Sequence, residues 1–406
     1  MMTLALHGGA PVRSTRLPYA RQAVDEDDVR AVVEALRSPM LTTGPTVAAF
    51  EAAVAARVGA REGVAVSSGT AALHAMLAAA GVDVGDEVIV PPMTFVATAN
   101  AAVFLGAVPV FADVDPHTLL LDPRAAERRI TPRTRAIVGV DYAGQPCDYR
   151  ALRAIANRHG VALLADACHA LGATDAGRPV GSLADATAFS FHPVKHITTG
   201  EGGMVTTNAA NLADRMRRFR NHGITVDYER RQTLGSWDYD VESLGHNYRL
   251  TDLQCALGIS QLRKLDGWLT RRREIARRYD DALADLPGIR PLARRDGADH
   301  AYHLYVVHVD AAAFGANRAT VFAALTAEGI GVNVHYIPVH LHALYRRQFS
   351  TRAGDCPAAE TAAERILSLP MYPHLSDADV DDVIAALTKV SRACAPATAD
   401  LASKLS

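Results

Sequence analysis

The chain has 406 residues, 49% hydrophobic and 21% charged, with 42 basic side chains against 44 acidic ones and a formal net charge of −2. Apolar content at this level supplies a core and excludes disorder over most of the length, and the near-neutral balance excludes a nucleic-acid binder that works through bulk positive charge. At roughly 150 residues per domain, the length predicts two to three domains.

An acidic start, Asp25 to Asp28, opens a helix over 25–36, with Val29, Val32, Val33 and Leu36 at helical spacing and Pro39 beyond its end. Short apolar runs then alternate with amphipathic stretches. Strands are expected at 64–66, 88–91, 108–111, 136–140 and 161–165. Helices are expected through Leu73 and Leu77, and over 95–105, 122–130 and 149–157. The strands read as continuous apolar runs, as parallel strands covered on both faces do. This rhythm predicts an α/β layer architecture.

Beyond Val205 the pattern changes. A basic helix is expected over 212–221, a polar loop over 224–239, and one long helix or two over 253–279. An alternating strand at 303–309, a helix at 320–328, a strand at 332–336 and a final helix at 377–387 follow. The boundary between a large and a small domain is placed at residue 265. The small domain runs over 266–390, the first 20 or so residues pack against it, and 391–406 form a flexible tail.

Residues 71–82 are the most apolar run. That run is short, Ala-rich and broken by His74, whereas spanning needs about 20 apolar residues, so no membrane partner is expected. The N-terminus does not read as a signal peptide. Cys147, Cys168, Cys255, Cys356 and Cys394 are widely spaced, with no CxxC, and read as reduced thiols of a cytoplasmic protein.

Three stretches carry candidate chemistry. VSSGTAAL, residues 66–73, stands at a strand-to-helix junction, where hydroxyls and free N–H groups can hold an anion such as phosphate. An ordinary helix cap is the alternative. LLADACHA, residues 163–170, puts Asp166 at the carboxyl end of an apolar strand, where ligands of open α/β sheets sit. AFSFHPVKHITTGEGG, residues 188–203, sets Lys195 between an aromatic strand and a glycine-rich turn. A desolvated lysine amine is nucleophilic and condenses with carbonyls. In this order the three match a pyridoxal phosphate site: phosphate cup, pyridinium partner and covalent lysine.

The words SSGTAALH, PPMTFVATANA, DACHALGA, FSFHPVKHITTGEGG and LGHNYRLTDLQCALGISQL resemble the DegT/DnrJ/EryC1/StrS sugar-nucleotide aminotransferases over residues 17–390. The stretches VDYAG, GHNYR and VHYIP, at 140–144, 245–249 and 334–338, are most similar to the pseudaminic-acid pathway branch. That branch aminates C4 of a UDP-linked 4-keto-6-deoxy-N-acetylhexosamine. The resemblance implies a fold-type I aminotransferase: a large domain with a mostly parallel seven-stranded sheet and a smaller α+β C-terminal domain.

It also implies pyridoxal 5′-phosphate on Lys195, with Asp166 on the pyridine nitrogen and Gly69, Thr70 and Ser190 on the phosphate. Phe95 would cover one ring face, and His169 would sit near the phenolic oxygen. Asn247 would reach the cofactor of the neighbouring subunit, making a homodimer with shared sites. Arg249 would bind an anionic group, either the glutamate carboxylate or the nucleotide diphosphate. His335 and Tyr336 would line the sugar pocket. L-Glutamate and a nucleotide sugar are the implied partners. Another keto-sugar, at C3 or C4, is the alternative substrate. A sugar dehydratase of the same fold usually has histidine at the lysine position, and a non-catalytic regulator would have lost part of the cofactor set.

Two other clusters are set aside. His300, His303 and His308, and likewise His335, His340 and His342, lack a carboxylate or thiolate at a recognised ligand spacing, so no metal is expected. The arginines at 271–273 and 277–278 read as a solvated face or a subunit contact.

Overall fold

A computed structural model describes residues 3–226, 233 and 235–395. The large sheet is built from β1 (Glu62–Val66), β2 (Glu87–Val90), β3 (Val108–Phe111), β4 (Thr134–Val140), β5 (Ala162–Asp166), β8 (Ala186–Ser190) and β9 (Gly203–Thr207). Its order is β1-β9-β8-β5-β4-β2-β3. Only β9 runs against its neighbours, β1 and β8, and every other pairing is parallel. The carboxyl ends of β1, β5 and β8 therefore share one edge. β6 (Thr174–Asp175), β7 (Arg178–Pro179) and β11 (Ala298–Asp299) form a short separate ribbon.

The helices of this part of the chain are α1 (Glu26–Arg37), α2 (Pro45–Arg57), α3 (Gly69–Ala79), α4 (Ala97–Phe104), α5 (Pro123–Arg128), α6 (Tyr149–His159), α7 (Ala210–Phe219), α8 (Asp252–Leu262) and α9 (Leu265–Leu283). Of these, α2, α3, α4, α6 and α7 pack on the sheet, α1 packs on α8, and α9 runs into a second core. Double cover explains the apolar strands, since Val64, Val88, Ile89, Ile137, Leu163 and Leu164 are completely buried. Asp25 caps α1 with a reciprocal bond to Asp28, and Ser38 ends it one residue before Pro39. The 253–279 stretch is two helices, broken at Arg263 and Lys264. Residues 227–232 and 234, within the expected loop, lie outside the described residues.

A second sheet, β10-β12-β13, joins β10 (Ile289–Pro291), β12 (Tyr305–Val309) and β13 (Ile366–Leu369), all antiparallel. Of the remaining helices, α10 (Ala311–Phe314), α11 (Arg318–Ala327) and α14 (Asp377–Cys394) pack in its core, whereas α12 (Ala343–Gln348) and α13 (Pro357–Ala363) pack on the core of the large sheet. Leu4 and Leu17 join the second sheet's core beside Ile275, Ile330 and Val390. Glu328, buried, accepts from the backbone N–H of Ala5 (2.8 Å) and of Val12 (3.0 Å) and from Lys389 Nζ (2.8 Å). Arg13 pairs with Asp379 and Asp382 on α14.

Several expectations need correction. No strand covers 332–336: only Asn333 bridges to Ser368, and Asn333 and His335 turn to side-chain hydrogen bonds instead. The strand expected at 303–309 begins at Tyr305, because Leu304 is drawn to the turn that follows β4, where its N–H donates to Ala143 O (3.1 Å). The helix expected from Phe95 begins at Ala97, leaving Phe95 57% exposed. α14 continues to Cys394, so Ser391 to Cys394 are helical, and 396–406 lie outside the described residues. The arginine run is not all solvated: Arg272 is buried. α2 and β9 were not foreseen. Ala-rich α2 gives little apolar contrast, and β9 carries two threonines that the sheet buries. Among the described residues, no helix is long and apolar enough to cross a membrane.

Candidate active site

A cavity of about 670 Å³ opens at the shared carboxyl edge of β1, β5 and β8. Gly69, Thr70, Phe95, Asp166, His169, Ser190, Lys195, His335 and Tyr336 all line it. Asn247 and Arg249 do not. Asn247 is exposed, and Arg249 faces a second cavity of about 550 Å³, where its Nη1 donates to Asn221 Oδ1 (2.7 Å). Their segment is tied to the first site by the Ser67 N–H, which donates to Tyr248 O (2.8 Å).

The floor is the β1–α3 junction. Ser68 caps α3 by accepting from Ala71 N–H (3.1 Å), which leaves the N–H groups of Gly69 and Thr70 without intrahelical acceptors. The helix dipole adds partial positive charge there. Gly69 is required by space: a Cβ would lie 2.8 Å from Ser190 Cβ and 3.3 Å from Cys168 Sγ. Those contacts make a cradle that a side chain would fill.

Asp166 ends β5. Its Oδ2 accepts from Thr98 Oγ1 (2.6 Å), and Thr98 contacts Thr94 Oγ1 (2.7 Å) in turn. Its Oδ1 accepts from Cys168 N–H (3.1 Å). An oriented carboxylate of this kind suits a protonated ring nitrogen. Thr98 was missed in the sequence, where its i, i+4 relation to Thr94 was the available signal.

The chain holds four lysines, Lys195, Lys264, Lys389 and Lys404. Lys264 pairs with Asp25 and Asp28, and Lys389 pairs with Glu328. Among the described residues Lys195 has no such carboxylate partner, and it is the lysine that lines the cavity. Burial pushes its amine below the ordinary lysine value, partly offset by the negative charge available to Cys168 and Asp166. A larger neutral fraction makes it a better nucleophile.

Imidazoles surround it. Burial drives His169 and His303 well below the usual histidine range and His335 to about 4, and Lys195 adds to each shift. These rings are neutral at physiological pH. His169 Nε2 lies 3.3 Å from the Tyr336 hydroxyl, while its Nδ1 is buried without a partner among the described residues. Tyr336 faces Phe95, ring centres 6.1 Å apart. His335 Nδ1 contacts Ser368 Oγ (2.9 Å), and Tyr142 OH donates to the His335 carbonyl. Of the two histidines expected on one strand, His303 faces this cavity, whereas His308 lines another. His303 was not foreseen as a site residue.

Pyridoxal 5′-phosphate fits this donor set: an anion cradle at a helix start, a carboxylate 97 positions further on and a poised amine, with orphaned imidazole nitrogens between. Fold and site are those of a pyridoxal phosphate-dependent aminotransferase of fold type I. The chain belongs to the DegT/DnrJ/EryC1/StrS aminotransferase family, whose model matches residues 22–388.

It is 47% identical over 381 residues to the spore coat polysaccharide biosynthesis protein SpsC of Bacillus subtilis, covering 93% of this chain and 98% of that one. Among solved structures, it is similar to one described as a sugar aminotransferase, Spr1654 of Streptococcus pneumoniae. The PMP-form of that protein matches with a TM-score of 0.88, at 33% identity, over 93% of this chain and all of the other. It is also similar to Helicobacter pylori PseC, an aminotransferase involved in pseudaminic acid biosynthesis, with a TM-score of 0.86, 33% identity, and the same coverage.

Proposed function

We propose that this enzyme moves the amino group of L-glutamate to C4 of a UDP-linked 4-keto-6-deoxy-N-acetylhexosamine. The product would be UDP-4-amino-4,6-dideoxy-N-acetyl-β-L-altrosamine, on the route to pseudaminic acid. The carrying observation is the meeting of Lys195, Asp166 and the α3 start in one cavity, which His335 and Tyr336 also line. The likeness to PseC across 93% of the chain supports the choice of sugar.

Each residue takes a role by its chemistry. The N–H groups of Gly69 and Thr70, with the hydroxyls of Thr70 and Ser190, hold the phosphate. Asp166, steadied by Thr98, accepts from the protonated ring nitrogen. Phe95 would cover the ring, and His169 would stand at its phenolic edge. When bound, pyridoxal phosphate supplies the electron sink that lets a carbon beside the amine lose and regain a proton. Lys195 would anchor the cofactor through Nζ, and Nζ would be free to act while L-glutamate is bound. The free Nζ is then the base that takes a proton from the donor and later delivers one in the second half-reaction. Burial, by favouring neutral Nζ, keeps it ready for that work.

We infer that the active unit is a homodimer in which Asn247 and Arg249 complete the neighbour's site. Asn247 being exposed and outside its own cavity supports this, as does the arginine-rich second cavity beside it, with Arg217, Arg220 and Arg249. Arg249 would meet either the glutamate carboxylate or the diphosphate. The reading places the enzyme in the cytoplasm, in keeping with five unpaired cysteines.

The test offers L-glutamate with a panel of UDP- and dTDP-linked 3-keto and 4-keto sugars and measures 2-oxoglutarate. Fastest release with the UDP 4-keto-6-deoxy-N-acetyl sugar is expected. Faster release with another sugar would overturn the substrate assignment. No release with any would overturn the aminotransferase reading.

A further inference from the structure

One buried histidine faces Lys195 directly and has no place in the roles above. His303 is 5% exposed, and its Nε2 lies 3.4 Å from Lys195 Nζ. Its backbone is pinned. Buried Arg272 donates Nη1 to the carbonyls of Tyr302 (2.9 Å), Met371 (3.1 Å) and His303 (3.4 Å). Its ring packs on that of His169 (centroids 4.3 Å) and near that of His196 (5.6 Å). His303 Nδ1 has no partner, so Lys195 is the one hydrogen-bond partner of this side chain among the described residues.

We propose that His303 is a positioning residue for Lys195, its Nε2 holding Nζ toward the cavity whenever the lysine is not joined to the cofactor. This rests on the reading of Lys195 as the attachment lysine. A detached lysine has four rotatable side-chain bonds and swings freely unless something catches its end. A neutral imidazole offers one acceptor nitrogen, and an amine is a donor with or without its extra proton. Nζ therefore donates to Nε2 in both states. The bond is stronger when Nζ is charged, so His303 steadies the amine when it carries a proton in a dry cavity. That proton stays on Nζ and is returned, and His303 ends each cycle unchanged.

The other titratable groups facing Lys195 are Asp166, Cys168, His169, His196 and His335. All remain in place when His303 is replaced. His303→Phe keeps the stacked ring and removes Nε2. His303→Gln keeps a hydrogen-bonding end. His303→Leu replaces the phenylalanine variant if that chain does not fold.

The full-length chain, freed of cofactor, is acetylated with trace acetic anhydride across a pH series and each lysine is followed by mass spectrometry. The other lysines serve as internal references. His303→Phe is expected to move the Lys195 midpoint down by roughly half to one pH unit, the difference between a charged and a neutral hydrogen bond. His303→Gln is expected to follow the unmodified chain. Any other pattern, including superimposed profiles or equal shifts in both variants, overturns the proposal. Borohydride reduction of the loaded, unmodified enzyme separates the two claims. Label away from Lys195 defeats the attachment reading, whereas label on Lys195 with unmoved profiles defeats only the role of His303.

Discussion

Asp141 follows β4, beside Asp166, and is fully buried. Its Oδ1 accepts from Cys147 N–H (2.9 Å) and Tyr149 OH (2.8 Å), while Oδ2 has no partner among the described residues. Burial pushes its carboxyl up to about 7, the two hydrogen bonds pull it down, and the charge of Asp166 adds to the rise. In the unfolded chain the same group titrates near 3.8. Between those values the folded chain holds a proton that the unfolded chain has released. The stability contributed is thus complete below pH 3.8 and is lost as pH rises toward 7.

The slope is about 1.4 kcal/mol per pH unit inside that window, so from pH 5 to pH 8 the loss is on the order of 2–3 kcal/mol. Asp141→Asn cannot ionise and keeps both accepted bonds. Its two new amide donors cost about 1–3 kcal/mol at every pH. Urea unfolding of both chains at pH 5, 6.5 and 8 isolates the effect, because every other titration cancels in the difference. The stability advantage of Asp141 over Asn is expected to shrink by about 2–3 kcal/mol across the series. A gap that stays constant with pH would refute the buried, proton-holding carboxyl.

Thr98→Val removes the hydroxyl that orients Asp166. A hydrogen bond to a charged group is worth about 1.5–3 kcal/mol, so cofactor affinity by fluorescence titration should fall roughly 10- to 150-fold. Gly69→Ala drives a methyl to within 2.8 Å of Ser190 Cβ, and overpacking of that kind should weaken the cofactor about 5- to 100-fold. The same titration reads it, and unchanged affinity would remove the phosphate cradle from the account. Lys195→Ala and Asn247→Ala should each be inactive alone. Mixed and allowed to exchange subunits, they should recover about a quarter of full activity, from heterodimers with one intact site. No recovery would count against shared sites.

Much of the site was legible because its parts sit on short words at strand ends. SSGTA, DACH and FSFHPVK each pair a strand terminus with the residue it presents, and the parallel sheet brings those termini to one edge. What depends on distant meetings was not legible. His303 lies 108 positions from Lys195, and nothing local shows that Arg272 and Ala143 hold its segment off the start of β12. Thr98 is an ordinary helix threonine until its hydroxyl meets Asp166 at the end of β5. The 332–336 stretch has strand-like valines, yet the side chains of Asn333 and His335 contact each other, His335 also meets Ser368, and the pairing stops at Asn333. A helix was missed where alanines blur the apolar period, as in α2, and one was cut short where small residues hid its continuation, as in α14.

The central claim is that Lys195 is the residue that carries the cofactor. Borohydride reduction of the purified enzyme, followed by digestion and mass spectrometry, tests it directly. Four lysines leave few alternatives. The account predicts the phosphopyridoxyl mass on the peptide that contains Lys195, with the other three lysines unmodified. Label on Lys264, Lys389 or Lys404, or a protein that binds no cofactor and takes no label, would contradict it.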